Sequence, residues 1–271
     1  SGLLRSFGHP LAVTRLGGPM ALPRYMQWVH YVVFGLACLR RMNFVTQPSV
    51  ELYKQITNRL HRQSRRLGKV ERTREWQALA RSRHHAGSLG VTLHYDSLLR
   101  AGLLGPKDLE GPGGAPGIFA RALLALHRQN KIEYGELTFY GDMRYQEWGR
   151  RLRTGLEIAG VRIFNRMAMP ADVYEGPAMN HSYHEMIIGH GRCFSVVLLA
   201  RRQAAIDEIG YRADYHQAQW LATKLALEQR GRAVVGITFP DMSEAGLRAL
   251  DRFFRQAAAI LGRKAGKGEK G

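Results

Sequence analysis

A chain of 271 residues with 45% hydrophobic content is large enough to bury a substantial core, and a formal charge of +18 argues for polyanionic partners over cationic ones. Its two cysteines, Cys38 and Cys193, lie far apart without zinc-finger spacing, which argues against a disulfide framework and a structural zinc site. Of the 40 basic residues only 8 are Lys. Arg bonds phosphate through a planar two-donor fork and stacks on bases, so the expected polyanion is nucleic acid, although a GC-rich genome would produce the same bias.

The opening residues SGLLRSFGHPLAVTRLGG carry Arg, lack acids and are rich in small side chains. They read as the remainder of an import segment and imply the mitochondrial matrix, although a truncated chain would look the same. Tyr25 to Leu39 is apolar but falls short of the roughly 20 residues that span a bilayer, and Gln27 and His30 interrupt it. A buried core helix is expected there, with docking on a membrane complex as the alternative.

Pro48-Ser49 followed by Glu51 marks a helix start, and Leu52, Ile56 and Leu60 form one apolar stripe. The other face is basic: Lys54, Arg59, Arg62, Arg65, Arg66, Lys69, Arg72, Arg74, Arg81 and Arg83, opposed by Glu71 and Glu75. Charge runs are ordinarily solvated faces, but ten positive charges against two negative ones repel unless a polyanion lies alongside. These ten are the expected RNA-binding residues, together with Arg263, Lys264 and Lys267 of the Gly-rich basic tail.

GPKDLEGPGGAPG, within residues 104–117, reads as a linker between a basic, mainly helical extension (1–103) and a second part with strands. There the pattern predicts helix Ile118 to Gln129, strand Glu136 to Tyr140, helix Tyr145 to Ala159 and strand Val161 to Met167, a β-α-β crossover with parallel strands. HEMIIGHGRCFSVVLL, His184 to Leu199, then predicts a β-hairpin turning at Gly189-His190-Gly191. A helix from Arg201 to Arg230, broken near Gly210, a strand Ala233 to Phe239 and a helix burying Leu247, Leu250, Phe254 and Leu261 complete the C-terminal extension (211–262), before the mobile tail (263–271).

His181, His184, Glu185 and His190 could be drawn as a metal site, but the spacing does not fit a helical His-Glu-x-x-His signature, and no metal is expected. His84, His85 and His94 form a weaker cluster in a basic segment. No nucleophile elbow, phosphate loop or dinucleotide fingerprint is present, so neither a catalytic residue nor a cofactor is expected. Cys193, beside Phe194, reads as a small buried hydrophobe.

Arg121, Leu123, Leu124 and Leu126, the break Gln129 to Lys131, then Leu137, Phe139 and Tyr140 resemble the opening of a thioredoxin-like family shared by mitochondrial ribosomal proteins and a small accessory subunit of respiratory complex I. The resemblance spans about 90 residues, from Ala120 to about Gly210, and is nearest to the small-ribosomal-subunit member. It implies an α/β fold with a thioredoxin-like core (118–210), and Gly141-Asp142-Met143-Arg144-Tyr145 in place of a Cys-x-x-Cys implies a scaffold. The implied function is a structural, non-enzymatic constituent of the mitochondrial ribosome with rRNA and neighbouring ribosomal proteins as partners. An accessory subunit of a respiratory or ATP synthase complex is the alternative. Glu175 to Arg202 also looks like the C-terminal half of a phosphosugar isomerase domain. That match requires parallel strands at 193–199 and 233–239 and a helical Ile187-Ile188, and its Ser/Thr-rich phosphate loop is missing from the sequence.

Overall fold

The computed structural model describes residues 13–41, 46, 48–82, 85–88, 90–176, 182–204 and 213–265. The chain falls into two units, Ser1–Gln47 and Pro48–Gly271. The first holds helix α1 (Ala21–Leu39), whose Tyr25, Trp28, Tyr31, Phe34 and Leu39 are all more than a third exposed. Within that unit these side chains are exposed, where the sequence predicts a buried core helix. Among the described residues no helix is long and apolar enough to cross a membrane.

The second unit is an α/β layered fold around one six-stranded sheet, in agreement with the α/β expectation. In chain order come α2 (Pro48–Leu67), a 3-10 turn (Val70–Arg72), α3 (Arg74–Arg81), β1 (His85–Ser88), β2 (Val91–His94), α4 (Asp96–Arg100), α5 (Pro106–Leu109) and α6 (Gly114–Arg128). Then follow β3 (Tyr134–Tyr140), α7 (Glu147–Phe164), β4 (Ala171–Gly176), α8 (Ser182–Gly189), β5 (Cys193–Arg202), α9 (Ala213–Gln229), β6 (Ala233–Asp241) and α10 (Glu244–Ala265). The strand order is β1-β2-β6-β5-β3-β4. The four strands β4, β3, β5 and β6 are parallel, and the β1–β2 hairpin joins β6 antiparallel.

Alternate side chains of each strand feed two cores. Leu137, Phe139, Phe194, Val196, Leu198 and Ile237 meet α6, α7 and α10, where Phe119 packs edge-on against Phe194, Phe253 and Phe254. Tyr140, Cys193, Val197, Leu199 and Val234 meet α2, α8 and α9 through Ile56, Leu60, Ile187 and Trp220.

Three expectations are corrected. Val161 to Met167 is not a strand: Leu152, Leu156, Ala159 and Ile163 continue one helical stripe into the sheet-facing core, so α7 runs on to Phe164 and a 3-10 turn ends at Met167. The parallel strand paired with β3 is Ala171–Gly176 instead. His184 to Leu199 is not a hairpin either. Residues 182–189 are helical, the His190 N–H bonds the Met186 carbonyl at 2.7 Å, and β5 runs parallel to β3 with Cys193–Ala200 buried throughout. A strand covered on both faces reads as an unbroken apolar run, which a half-exposed hairpin strand would not. The thioredoxin-like order of β-α-β followed by a hairpin is thereby replaced by a doubly wound parallel run, β4-β3-β5-β6. Arg201 and Arg202 end β5 in place of starting a helix, and the next helix among the described residues is Ala213–Gln229.

The third correction concerns residues 104–117, which are folded rather than a linker. Leu104, Leu109 and Ala115 are buried, and the Arg121 guanidinium donates to the carbonyls of Leu109, Gly111 and Pro112 at 2.9, 3.0 and 2.7 Å. One buried fork thus satisfies the carbonyls of a loop that Gly and Pro leave without regular partners. The basic segment before it is part of the same unit, since β2 pairs with β6 and α2 packs on α9.

Candidate nucleic-acid interface

Helix α2 buries Val50, Tyr53, Ile56 and Leu60 at helical spacing. Thr57 and Ser64 are buried on the same side, and the basic residues lie on the face turned to water. Arg59, Arg62, Arg65, Arg66, Lys69, Arg72, Arg74 and Arg81 are exposed and Lys54 is half-buried. Thr73 holds the turn behind the helix, donating to the Val70 carbonyl at 2.7 Å and accepting from the Trp76 N–H at the start of α3.

The two acids of the segment do little to neutralise this surface. Glu75 pairs with Arg59 at 3.2 Å, while Glu71 turns toward α9, where its carboxylate accepts from the Gln217 amide at 2.9 Å. Lys54 pairs with Glu51 at 2.7 Å. Arg62 and Arg72 reach backbone carbonyls, those of Asn58 at 3.3 Å and Leu67 at 3.0 Å. Among the described residues Arg62, Arg65, Arg66, Lys69, Arg72, Arg74 and Arg81 have no carboxylate within ion-pair distance. A run of exposed cations of this kind raises the local concentration of polyanions and gains when bound counterions are released. Arg83 and Lys267 lie outside the described residues, as do the side chains of Arg263 and Lys264 in α10.

At the C-terminal ends of β3 and β5 successive connections leave in opposite directions, which is where α/β sheets of this kind generally place a ligand. The local chemistry does not suit a phosphate. The Asp142 carboxylate itself accepts from the N–H groups of Arg144, Tyr145 and Gln146 at 2.8, 2.9 and 2.8 Å. Burial pushes its pKa up, but those amide bonds prevail and hold it below the ordinary value. Asp241 likewise accepts from the Ser243 hydroxyl and N–H and from Arg202, which lower its pKa. Each loop fills its own anion position with a carboxylate. Gly141 suits this turn, because at its φ of +154° a Cβ would stand 2.5 Å from the ring of the buried Phe139.

The histidine and cysteine residues do not assemble into a reactive site. Among the described residues no group of three or more His, Cys, Asp and Glu could hold a metal ion. His181 and His84 lie outside the described residues, as do the side chains of His184 and Glu185. His190 pairs with Glu133 at 3.1 Å, and Arg192 pairs with the same carboxylate. Cys193 is 1% exposed on β5, and burial, reinforced by Glu136, drives its thiol pKa far up, so it is an inert hydrophobe as expected. His94 packs edge-on against Trp220, and burial lowers its pKa to about 4, with Lys224 adding to the effect.

Sequence reasoning missed the aromatic residues interleaved with arginine at the start of α7. The signal was legible as Arg144-Tyr145-Gln146-Glu147-Trp148-Gly149-Arg150-Arg151, but apolar periodicity drew attention to the buried side of that helix. It also missed the buried Lys224, a single cation inside the apolar run LATKLAL.

No protein-family model matches the chain, and no curated protein matches it. Among solved structures it is similar to the crystal structure of a hypothetical protein from Thermus thermophilus, at 18% identity and a TM-score of 0.43. That similarity covers 62% of this chain and 44% of the Thermus chain, so the match spans less than half of that protein's length.

Proposed function

We propose that the chain is a non-catalytic, RNA-contacting subunit of a ribonucleoprotein, with the mitochondrial ribosome as the particle and the mitochondrial matrix as its location. The observation that carries this reading is the run of seven exposed cations between Arg62 and Arg81 without carboxylate partners among the described residues. Their side chains meet phosphate, so RNA is chosen by shape and backbone spacing, not by base edges. The Arg-bearing, acid-free N-terminus supports the organelle. With the hairpin corrected, the ribosomal assignment rests on that segment and on charge.

The test has two parts. Anisotropy titrations of a structured RNA fragment with the protein and with Arg62→Glu/Arg66→Glu are run over a range of salt. The double variant is expected to bind more weakly, with a salt slope shallower by about 1 per residue removed. Native protein from organelle lysate is then sedimented on sucrose gradients at low and high salt. Migration with the small ribosomal subunit is expected, whereas a free species or one that follows a membrane complex overturns the assignment.

One observation favours a second reading, the isomerase-like enzyme. Strands β5 and β6 are parallel neighbours and Ile187-Ile188 is helical, which are two of the three conditions that reading set, the third being the Ser/Thr-rich phosphate loop that the sequence lacks. Against it stands the β3–α7 loop, whose amides Asp142 already occupies. Phosphosugar turnover by the purified chain, abolished in Glu185→Gln and His184→Ala, would establish this second reading.

A further inference from the structure

We infer that the groove between α7 and α10, on the opposite face of the sheet from α2, is a second nucleic-acid site, one that takes unpaired nucleotides. The inference borrows its ligand class from the proposal above, but its surface is separate and includes none of the residues expected from the basic run.

The groove has an apolar floor and an arginine rim. Leu152, Leu156, Leu247, Leu250 and Phe254 line a pocket of about 200 Å³, with Trp148, Arg151 and Arg248 at its edges. That volume is below the roughly 300 Å³ at which sites for drug-sized molecules begin, and it suits a single flat ring. An open trough of about 730 Å³ shares Glu244, Arg248 and Asp251 with the pocket and continues along α10 past Arg252 and Arg255. A pocket for a ring that opens into a cationic trough is the division a single strand needs: base in the pocket, phosphates along the trough.

The aromatic residues agree with this. The Arg151 guanidinium lies 4.5 Å over the Trp148 ring, a cation–π pair that presents a flat stacking platform at the rim. Tyr145, three residues earlier, is 80% exposed. Stacking on such faces tolerates any base, and a duplex, whose bases are already stacked on one another, cannot use it.

The charge balance favours phosphate. Arg252 has no carboxylate within ion-pair distance among the described residues, and Arg151 reaches Glu147 only at 3.9 Å. Arg248 pairs with Glu244, and Arg255 with Asp251 at 2.6 Å, both four residues apart on an exposed helix face. Pairs of this kind contribute little, so a phosphate displaces the carboxylate at small cost. An acidic amphipathic helix would also fit an arginine rim, but Glu244, Asp251 and the exposed Glu147 repel a partner carrying carboxylates along its whole length. A strand that sets its bases between those acids and its phosphates on the arginines avoids that repulsion.

The experiment uses the full chain and two fluorescent probes, a 12-nucleotide oligouridine and a 16-base-pair RNA duplex, near 100 mM salt. Arg151→Glu/Arg252→Glu, at two exposed positions, is expected to weaken oligouridine binding about 10-fold and to leave duplex binding within about twofold. Arg62→Glu/Arg66→Glu is expected to do the reverse. Oligouridine should quench tryptophan emission in the wild type and in Arg62→Glu/Arg66→Glu, and should do so much less in Trp148→Phe, a readout that needs no loss of affinity. Oligouridine binding that is lost only in the α2 variant, with quenching unchanged in Trp148→Phe, overturns the second site and leaves the RNA reading intact. Absence of binding by either probe overturns both.

Discussion

The Lys224 ammonium lies 2.8 Å from the Asp96 carboxylate, and both side chains are 1% exposed. Lys224 also donates to the Ser97 hydroxyl at 2.5 Å, while Arg100 bonds Asp96 at 2.6 Å and Glu228 at 2.5 Å. Short helix α4 is thereby tied to α9 by charge, within an otherwise apolar layer. Burial lowers the Lys224 pKa, and Asp96 offsets that effect.

Removing Lys224 leaves the buried Asp96 carboxylate with the half-exposed Arg100 as its remaining ion-pair partner. Lys224→Met is expected to destabilise the fold by about 3–5 kcal/mol, read as a lowered urea midpoint. Lys224→Met combined with Asp96→Asn should recover part of that loss, since the buried negative charge goes as well. A double variant no more stable than the single one would show that the network's worth lies in its geometry.

Two buried groups give stability opposite dependences on pH. Glu136 is fully buried on β3, accepts from Thr138, and has a pKa raised by burial to about 7 from an ordinary 4.5. The folded state then binds more protons than the unfolded chain between those values, so its contribution is full below about pH 4.5 and is lost as pH rises to 7. His94, lowered by burial to about 4 from 6.5, does the reverse: its contribution is present above 6.5 and is lost as pH falls through 4. Each shift corresponds to about 3 kcal/mol, so the two slopes nearly cancel between pH 4.5 and 6.5. Glu136→Gln should therefore expose a stability that falls on acidification through this window, measured by urea unfolding against pH. An unchanged profile would mean that Glu136 ionises normally.

Arg121→Met keeps much of the side-chain volume and removes three charged hydrogen bonds to the 109–112 loop. A loss of about 3 kcal/mol is expected, with faster amide exchange concentrated in residues 104–117. Exchange that rises evenly over the whole sheet would instead assign Arg121 a general packing role.

The two cysteines should separate cleanly in a thiol assay. Cys38 is exposed, and Cys193 is buried with a raised pKa. At about pH 8 one equivalent of a small disulfide reagent should react at once, and the second only as fast as the fold opens or after urea is added. Rapid reaction of both in the native protein would remove Cys193 from the core.

Helix α2 was legible from the sequence because a helix that packs on one side repeats at about 3.6 residues, and Ile56 and Leu60 announce that side. The last helix and the placement of the basic residues away from the apolar stripe were legible for the same reason, and strands β3 and β6 because they are short runs rich in branched and aromatic residues. The stretch from Val161 to Leu199 was not. Ile163-Phe164 and Ile187-Ile188 have the branched and aromatic character of strand residues, and only the layers above and below the sheet make both pairs helical. Gly-rich 104–117 read as a linker because the residue that orders it, Arg121, has its place on the following helix.

The sequence by itself determined the charge, the α/β alternation and the face of α2 that meets water, since each depends on composition or on neighbours within one or two turns. Only the tertiary structure decided which strands pair. The partners of β5 are β3 and β6, about 60 and 40 positions away along the chain, and a fully buried strand carries no alternation to name its neighbours. The arginines of α7 and α10, separated by about 100 residues in sequence, likewise became one groove only when both helices packed on the same face of that sheet.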